Sequence, residues 1–290
     1  MRSAQTRVLT LFIFAFLILS GCRSDELLED APTTDGLIGS SLQIMVASND
    51  FFGDRPRVPI LLFDGPDRVT NATAVRASAF RLSAQPPVQV WEGEALNFSD
   101  SEVPYWVLYP QVQTPGFYEI RAEITLPDGT IARSEFVIEI QERSSSPTVG
   151  AQAPRSENRT LYSEPDITKI SSDPDPNPGF YQLTIAEAVA SGKPTVVTFS
   201  TPAFCTSQLC APVLASMEEV YAERKDQVNF IHIEIYKDFD TFEVVEEVSE
   251  WGLSSEPWTF VIDRSGLIYA KFGGPLSVDE LTSSLNVLLR

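Results

Sequence analysis

TVVTFSTPAFCTSQLCAP, residues 195–212, runs from an uncharged, β-branched strand through a short turn into two cysteines, Cys205 and Cys210, at the start of a helix. An apolar run of this kind is what a strand buried on both faces requires. Strands buried in this way deliver their C-terminal ends to active sites. A thiol placed there, beside the first turn of a helix, meets unpaired backbone N–H groups and the positive end of the helix dipole. Both favour thiolate over thiol. Two cysteines five apart on an unbroken α-helix would lie about 8 Å apart, more than the roughly 7 Å between Cα atoms that a disulfide tolerates. Bridging therefore requires Cys205 in the turn before the helix and Cys210 within its first turns. Pro212 agrees, since proline is welcome in a first turn and costly further in.

The N-terminus says where this chemistry takes place. Arg2 and Arg7 precede an uncharged apolar run over residues 8–19, too short to span a bilayer comfortably, which reads as an export signal over residues 1–21. It ends Leu19-Ser20-Gly21-Cys22, which resembles the bacterial lipobox. That resemblance implies cleavage before Cys22, acyl chains carried on Cys22, and anchoring at the cell membrane on the extracytoplasmic face. Disulfides persist there. Cys22 being committed to lipid, Cys205 and Cys210 are the two of the three cysteines left to react with each other. The formal net charge is -19, and loss of the two signal arginines makes it two units more negative. Nucleic acid is a poor partner for such a chain, because phosphate binding needs basic patches. No cofactor or metal is called for by any motif.

Working outward, residues 22–36 are acidic, rich in Pro, Thr and Gly, and read as a tether. Residues 37–142 show seven short strand patterns, at 42–47, 58–63, 75–82, 88–91, 105–109, 117–126 and 131–140, broken by Pro, Gly, Asn and Asp. The last two alternate and are joined by Pro127-Asp128-Gly129, which predicts a hairpin. With no helical period this is an all-β sandwich, and GFYEIRAEITLPDGT, residues 116–130, resembles the closing strands of bacterial immunoglobulin-like domains. Residues 143–179 are Ser and Pro rich and include Asp-Pro-Asp-Pro-Asn-Pro, which predicts an extended linker of some reach. Residues 180–290 alternate strand and helix. Capping boxes are expected at Thr184/Glu187 and Ser277/Glu280, helices near 209–224 and 241–250, and a terminal hairpin of strands 259–263 and 267–272. The fold class is thus an α/β C-terminal domain with an antiparallel edge, preceded by the sandwich.

The order of elements over residues 180–290 resembles the thioredoxin fold. The pieces that carry the resemblance are FSTPAFC at 199–205, APVLASMEEVYAER at 211–224, EPWTFVID at 256–263 and DRSGLIYAKFGG at 263–274. It implies a cis Glu256-Pro257 bond beside the disulfide. It also makes the loop Glu256, Pro257 and Trp258 the surface that meets a substrate chain, and thiol-disulfide exchange with exported protein thiols or disulfides the activity. Cys205 would exchange and Cys210 would resolve. The cysteine spacing departs from that family, with four intervening residues instead of two.

Other readings stay open beside it. TP..CTSQLC resembles the bacterioferritin-comigratory branch of the peroxiredoxins, although Pro202 and Thr198 hold the places where that family has threonine and proline. Arg264, in the hairpin turn, is no convincing partner for peroxide. The copper-delivery proteins of the same fold add a histidine to two cysteines; His232, the chain's one histidine, lies within a strand and reads better as a packed residue. Finally, the pair can be an inert structural disulfide in a surface-binding lipoprotein. A carboxylate such as Glu256 near the cysteines, by opposing thiolate, favours that reading.

Overall fold

The computed structural model describes residues 42–290. The export signal, Cys22 and the tether lie outside the described residues. The seven strand patterns of the N-terminal part all appear, as β1 (Leu42–Val46), β3 (Val58–Asp64), β5 (Ala74–Arg81), β6 (Val88–Glu94), β8 (Tyr105–Leu108), β9 (Gly116–Thr125) and β10 (Ile131–Gln141). Three short strands join them: β2 (Phe51–Phe52), β4 (Asp67–Arg68) and β7 (Leu96–Phe98). They form two sheets, one ordered β1-β3-β8-β7 with β4 alongside β3, the other β2-β10-β9-β5-β6. Alternation is the reason they pack. Along β9 the side chains of Tyr118, Ile120, Ala122 and Ile124 are buried, and they meet Ile60, Leu62 and Leu108 of the opposite sheet in one core. The β9–β10 hairpin pairs Thr125 with Ile131 through to Gly116 with Ile140. Its turn works by the chemistry of its residues: Gly129 takes φ +84°, and Asp128 Oδ1 accepts the Thr130 N–H at 2.9 Å.

The C-terminal part holds α1 (Ile185–Ala190), β11 (Thr195–Ser200), α2 (Cys210–Arg224), β12 (Asn229–Glu234), β13 (Tyr236–Asp238), β14 (Glu243–Val244), α3 (Glu246–Glu250), β15 (Trp258–Ile262), β16 (Ile268–Gly273) and α4 (Val278–Leu288). The main sheet is ordered β12-β11-β15-β16. β11 runs parallel to β12 and antiparallel to β15, which pairs antiparallel with β16. All six residues of β11 are buried, because helices cover both faces. Val197, Phe199, Ile231 and Phe260 pack under α1 and Trp251. Val196, Phe230 and Val261 pack under α2 and α4.

The structure corrects three expectations. Residues 143–179 are not a spacer with reach but a strap bound to the α/β sheet. Ala153 is buried in its core, Asn158 Oδ1 accepts the Ile185 N–H at 2.7 Å, and a 3-10 turn, Pro178–Tyr181, buries Phe180 and Tyr181. Alternating prolines set local backbone conformation, whereas these buried contacts set where the strap lies. The helix expected at 241–250 is reduced to α3, because residues 236–244 fold as the small hairpin β13–β14. Thr184 and Glu187 make both bonds of a capping box. Ser277 caps α4 through the Glu280 N–H at 3.1 Å, but the Glu280 carboxylate turns away to Arg57 and Tyr105 of the sandwich.

That contact belongs to a polar seam between sandwich and α/β layer, both within the compact unit Gly39–Arg290. The Arg57 guanidinium grips Glu280 at 3.0 and 2.7 Å and donates to the carbonyls of Gly273 and Pro275 at 3.0 and 2.7 Å. Lys271 from β16 meets Asp50 Oδ2 at 3.1 Å and the Ser144 and Ser146 hydroxyls at 2.8 and 2.9 Å. Gly274, at φ +80°, lies so close that a β-carbon there would collide with the Ala47 carbonyl oxygen.

Candidate functional site

Thr201 follows β11 and begins the turn that presents Cys205. The chain then winds through Gln208, a non-glycine residue at φ +59°, before α2 starts at Cys210. This reversal brings the two Cα atoms to 6.0 Å, and Cys205 and Cys210 form a disulfide. Cys205 therefore sits before the helix and Cys210 in its first turn, as the bridging argument requires. The two sulfurs differ in surroundings. Cys205 is half-buried, while Cys210 is 0% exposed. Cys205 Sγ lies 3.3 Å from the Cys210 N–H, which donates to it, and 3.2 Å from Ser207 Oγ. With the N-terminus of α2 behind them, these groups are placed to hold negative charge on Cys205 when the bridge opens.

Glu256-Pro257 is cis. Phe199 of β11 pairs with Trp258 of β15, so Pro257 lies at the same end of the sheet as the start of the cysteine turn. Burial pushes the Glu256 carboxyl above its ordinary range. The Trp258 side chain points into the core. It is 2% exposed, its Nε1 donates to Ser255 Oγ at 3.3 Å, and its ring stacks on Phe260 in the core.

His232 is likewise a packed strand residue. Its Nδ1 lies 2.7 Å from Tyr181 Oη and its Nε2 2.9 Å from Ser200 Oγ. Burial holds its pKa below the ordinary imidazole value, against the pull of Glu234. Both ring nitrogens are engaged, and no cluster of His, Cys, Asp or Glu suited to a metal occurs among the described residues. Thr198 Oγ1, one of the peroxiredoxin comparison points, is 3.0 Å from Thr259 Oγ1 inside the core.

Several neighbours of the cysteines were not legible from the sequence. Phe204 meets Tyr236, Phe239 and Phe242 of the β13–β14 hairpin at centroid distances of 6.1, 5.6 and 5.2 Å. Phe242 remains 48% exposed, leaving at the surface an aromatic pad built on Phe204, the residue before Cys205. Leu209, directly before Cys210, is 2% exposed and packs among Leu61, Val103, Tyr105 and Val107 of the sandwich. The one available signal was the Phe239/Phe242 pair in an acidic segment, and it fits an amphipathic helix as readily as a hairpin.

No family model matches the chain. Its sequence is 28% identical over 106 residues to the thioredoxin-like protein HCF164, chloroplastic, of Arabidopsis thaliana, a match over 37% of this chain and 38% of that protein. The chain thus spans well under half the length of the curated relative it matches. Among solved structures, a thiol:disulfide interchange protein of the thioredoxin family from Chlorobium tepidum aligns over 37% of this chain and 86% of its own, with 19% identity and a TM-score of 0.31. Another from Chlorobium tepidum, designated a thiol:disulfide interchange protein DsbE, aligns over 50% and 100%, with 15% identity and a TM-score of 0.37. The strand order β12-β11-β15-β16 and the cysteines after β11, together with the relative in sequence, make the C-terminal layer thioredoxin-like.

Proposed function

We propose that this protein is a thiol-disulfide oxidoreductase working through Cys205 and Cys210. The observation that carries the reading is the asymmetry of the pair: one half-exposed sulfur with two donors against it, one fully buried sulfur behind it. A substrate thiolate attacks Cys205 Sγ. The Cys205–Cys210 bond breaks, Cys210 leaves as thiolate and takes up a proton, and substrate and Cys205 are joined in a mixed disulfide. A second substrate thiolate then attacks the substrate sulfur of that bond and expels Cys205 as thiolate. Two electrons have passed from substrate to protein, and the substrate leaves as a disulfide. The same steps in reverse reduce a substrate disulfide.

The test is the reduction potential of the pair, read by thiol labelling across a graded redox buffer. A midpoint between about -120 and -270 mV, the range of exchange proteins, is expected. A midpoint below about -300 mV makes the bridge structural and sinks the reading. With Cys210→Ser, Cys205 should accumulate mixed disulfides that Cys205→Ser lacks.

Anchoring through lipid on Cys22, with the oxidoreductase held at the extracytoplasmic face of the cell membrane, is part of the same proposal and rests on the signal and Leu19-Ser20-Gly21-Cys22. Labelled fatty acid should enter the protein and fail to enter a Cys22→Ser variant. We further propose that the sandwich is immunoglobulin-like. In support, Tyr118, near the start of β9, donates its hydroxyl to the Thr114 carbonyl at 2.7 Å, the arrangement of a tyrosine corner. Tyr118→Phe should cost about 1 kcal/mol in urea unfolding; no change would remove that support.

A further inference from the structure

In the exchange reading a substrate chain must reach Cys205, and the sandwich restricts the direction of approach. Leu209 on the cysteine loop is covered by Val103, Tyr105 and Val107. Asn49, between β1 and β2, bonds to Ser254 and Ser255 just before the Glu256-Pro257 bond, at 3.4 and 3.1 Å. The other flank is open. There a cleft of about 840 Å³ runs along the cysteine loop, with Ala203, two residues before Cys205, and Ala211, next after Cys210, in its lining. With Ala215 they make a floor of small side chains, and the proline strap forms the facing wall.

The wall is held in place. The Ser172 N–H donates to Glu234 at 2.8 Å, Ser172 Oγ accepts the Ala203 N–H at 3.2 Å, and Asn177 Nδ2 donates to both Glu218 oxygens at 2.7 and 2.8 Å. The cleft is therefore preorganised, and binding in it costs little ordering of the protein. Every charged residue in its lining is acidic: Glu102, Asp173, Asp175 and Glu218. None of these forms a salt bridge with Lys or Arg among the described residues, and the imidazole that Asp173 acts on, His232, is buried with its pKa lowered. Four carboxylates left without cations around a small-residue floor complement an extended, cationic chain.

We propose that this cleft binds the segment of a substrate polypeptide flanking its reactive cysteine, and that it selects segments carrying Lys or Arg beside small side chains. The proposal rests on the exchange reading, whose failure is separated from its own by measuring binding apart from chemistry. Two peptides of equal length are used, with cysteine flanked by lysines in one and by glutamates in the other. Each is also made with serine for cysteine.

In the binding arm, the lysine-flanked serine peptide should shift the amide signals of Ala203, Ala211 and Ala215, and the glutamate-flanked one should not. In the rate arm, the lysine-flanked cysteine peptide should reduce the Cys205–Cys210 bridge about tenfold faster at low salt. The advantage should shrink at high salt. The Glu102→Gln/Asp175→Asn/Glu218→Gln variant should abolish the shifts and bring the rate ratio down to the peptides' intrinsic one, which is taken from their reaction with an uncharged small disulfide. Shifts confined to other surfaces, equal shifts from both peptides, or a rate ratio that the variant leaves unchanged would overturn the proposal. Cleft binding by the lysine-flanked serine peptide without any exchange by its cysteine counterpart would overturn the exchange reading, and with it the assignment of the bound segment to a substrate.

Discussion

Cys205 and Cys210 are chemically the same residue made unequal by a few ångströms of chain. Burial leaves Cys210 inaccessible, while Ser207 Oγ and the Cys210 N–H at 3.2 and 3.3 Å surround Cys205 with donors. A donor to the charged form favours it. After reduction, iodoacetamide should therefore modify Cys205 at least about tenfold faster than Cys210. Ser207→Ala should move the midpoint of the pH–rate profile for Cys205 to higher pH. A merely structural Ser207 would change stability and leave that midpoint where it is. Of the residues named from sequence, Cys205 and Cys210 are bridged across the turn before α2, and the Glu256-Pro257 bond is cis. The Trp258 ring packs on Phe260 in the core, an orientation that the strand pattern alone did not specify.

At the scale of elements, β11 and α2 were legible because their signals are local: an uncharged β-branched run, and an apolar helical face after Pro212. The hairpin β13–β14 was not. Residues 241–250 carry enough helical pattern to suggest a helix through Glu250, and the hairpin wins because Tyr236, Phe239 and Phe242 gather on Phe204, a contact 32 or more residues away along the chain. Aromatic pairs of this kind contribute about 0.5–1.5 kcal/mol each beyond their area. Phe204→Ala should consequently speed amide hydrogen exchange across residues 236–244 while leaving that of β11 unchanged. Equal protection in the variant would mean that the hairpin holds itself, and that the pad is incidental to it.

The whole molecule is joined by charges that neither half explains alone. Arg57 and Glu280 are 10% and 7% exposed in their side chains, and removing one member of such a pair leaves a buried charge at a cost of about 3–5 kcal/mol. Asp50 gives this seam a pH dependence. Burial pushes its carboxyl up, but the hydroxyls of Ser144 and Ser146 and the Lys271 ammonium outweigh burial and hold it below the ordinary carboxylate value. A lowered folded pKa stabilises fully above the unfolded value, about 3.9, and the stabilisation is lost as the pH falls through the folded one. Asp50→Asn should lower the urea midpoint at pH 7, and the gap to the unaltered protein should close below about pH 4. A gap that persists in acid would assign the effect to packing instead of charge.

The sequence by itself determined the parts whose causes are local. Strand alternation, the Pro127-Asp128-Gly129 turn, the Thr184 capping box and the placement of Cys205 before a helix all follow from neighbours within a few residues. Tertiary structure decided the rest: that the proline strap lies against the sheet, that Glu280 leaves its own helix cap for Arg57, that Leu209 is covered by the sandwich and that an acidic cleft opens beside the cysteines. Each of these depends on burial and charge pairing between segments far apart in the chain. Such pairings have no period or spacing in the sequence, because they are set by which surfaces meet once the sheets and helices have formed.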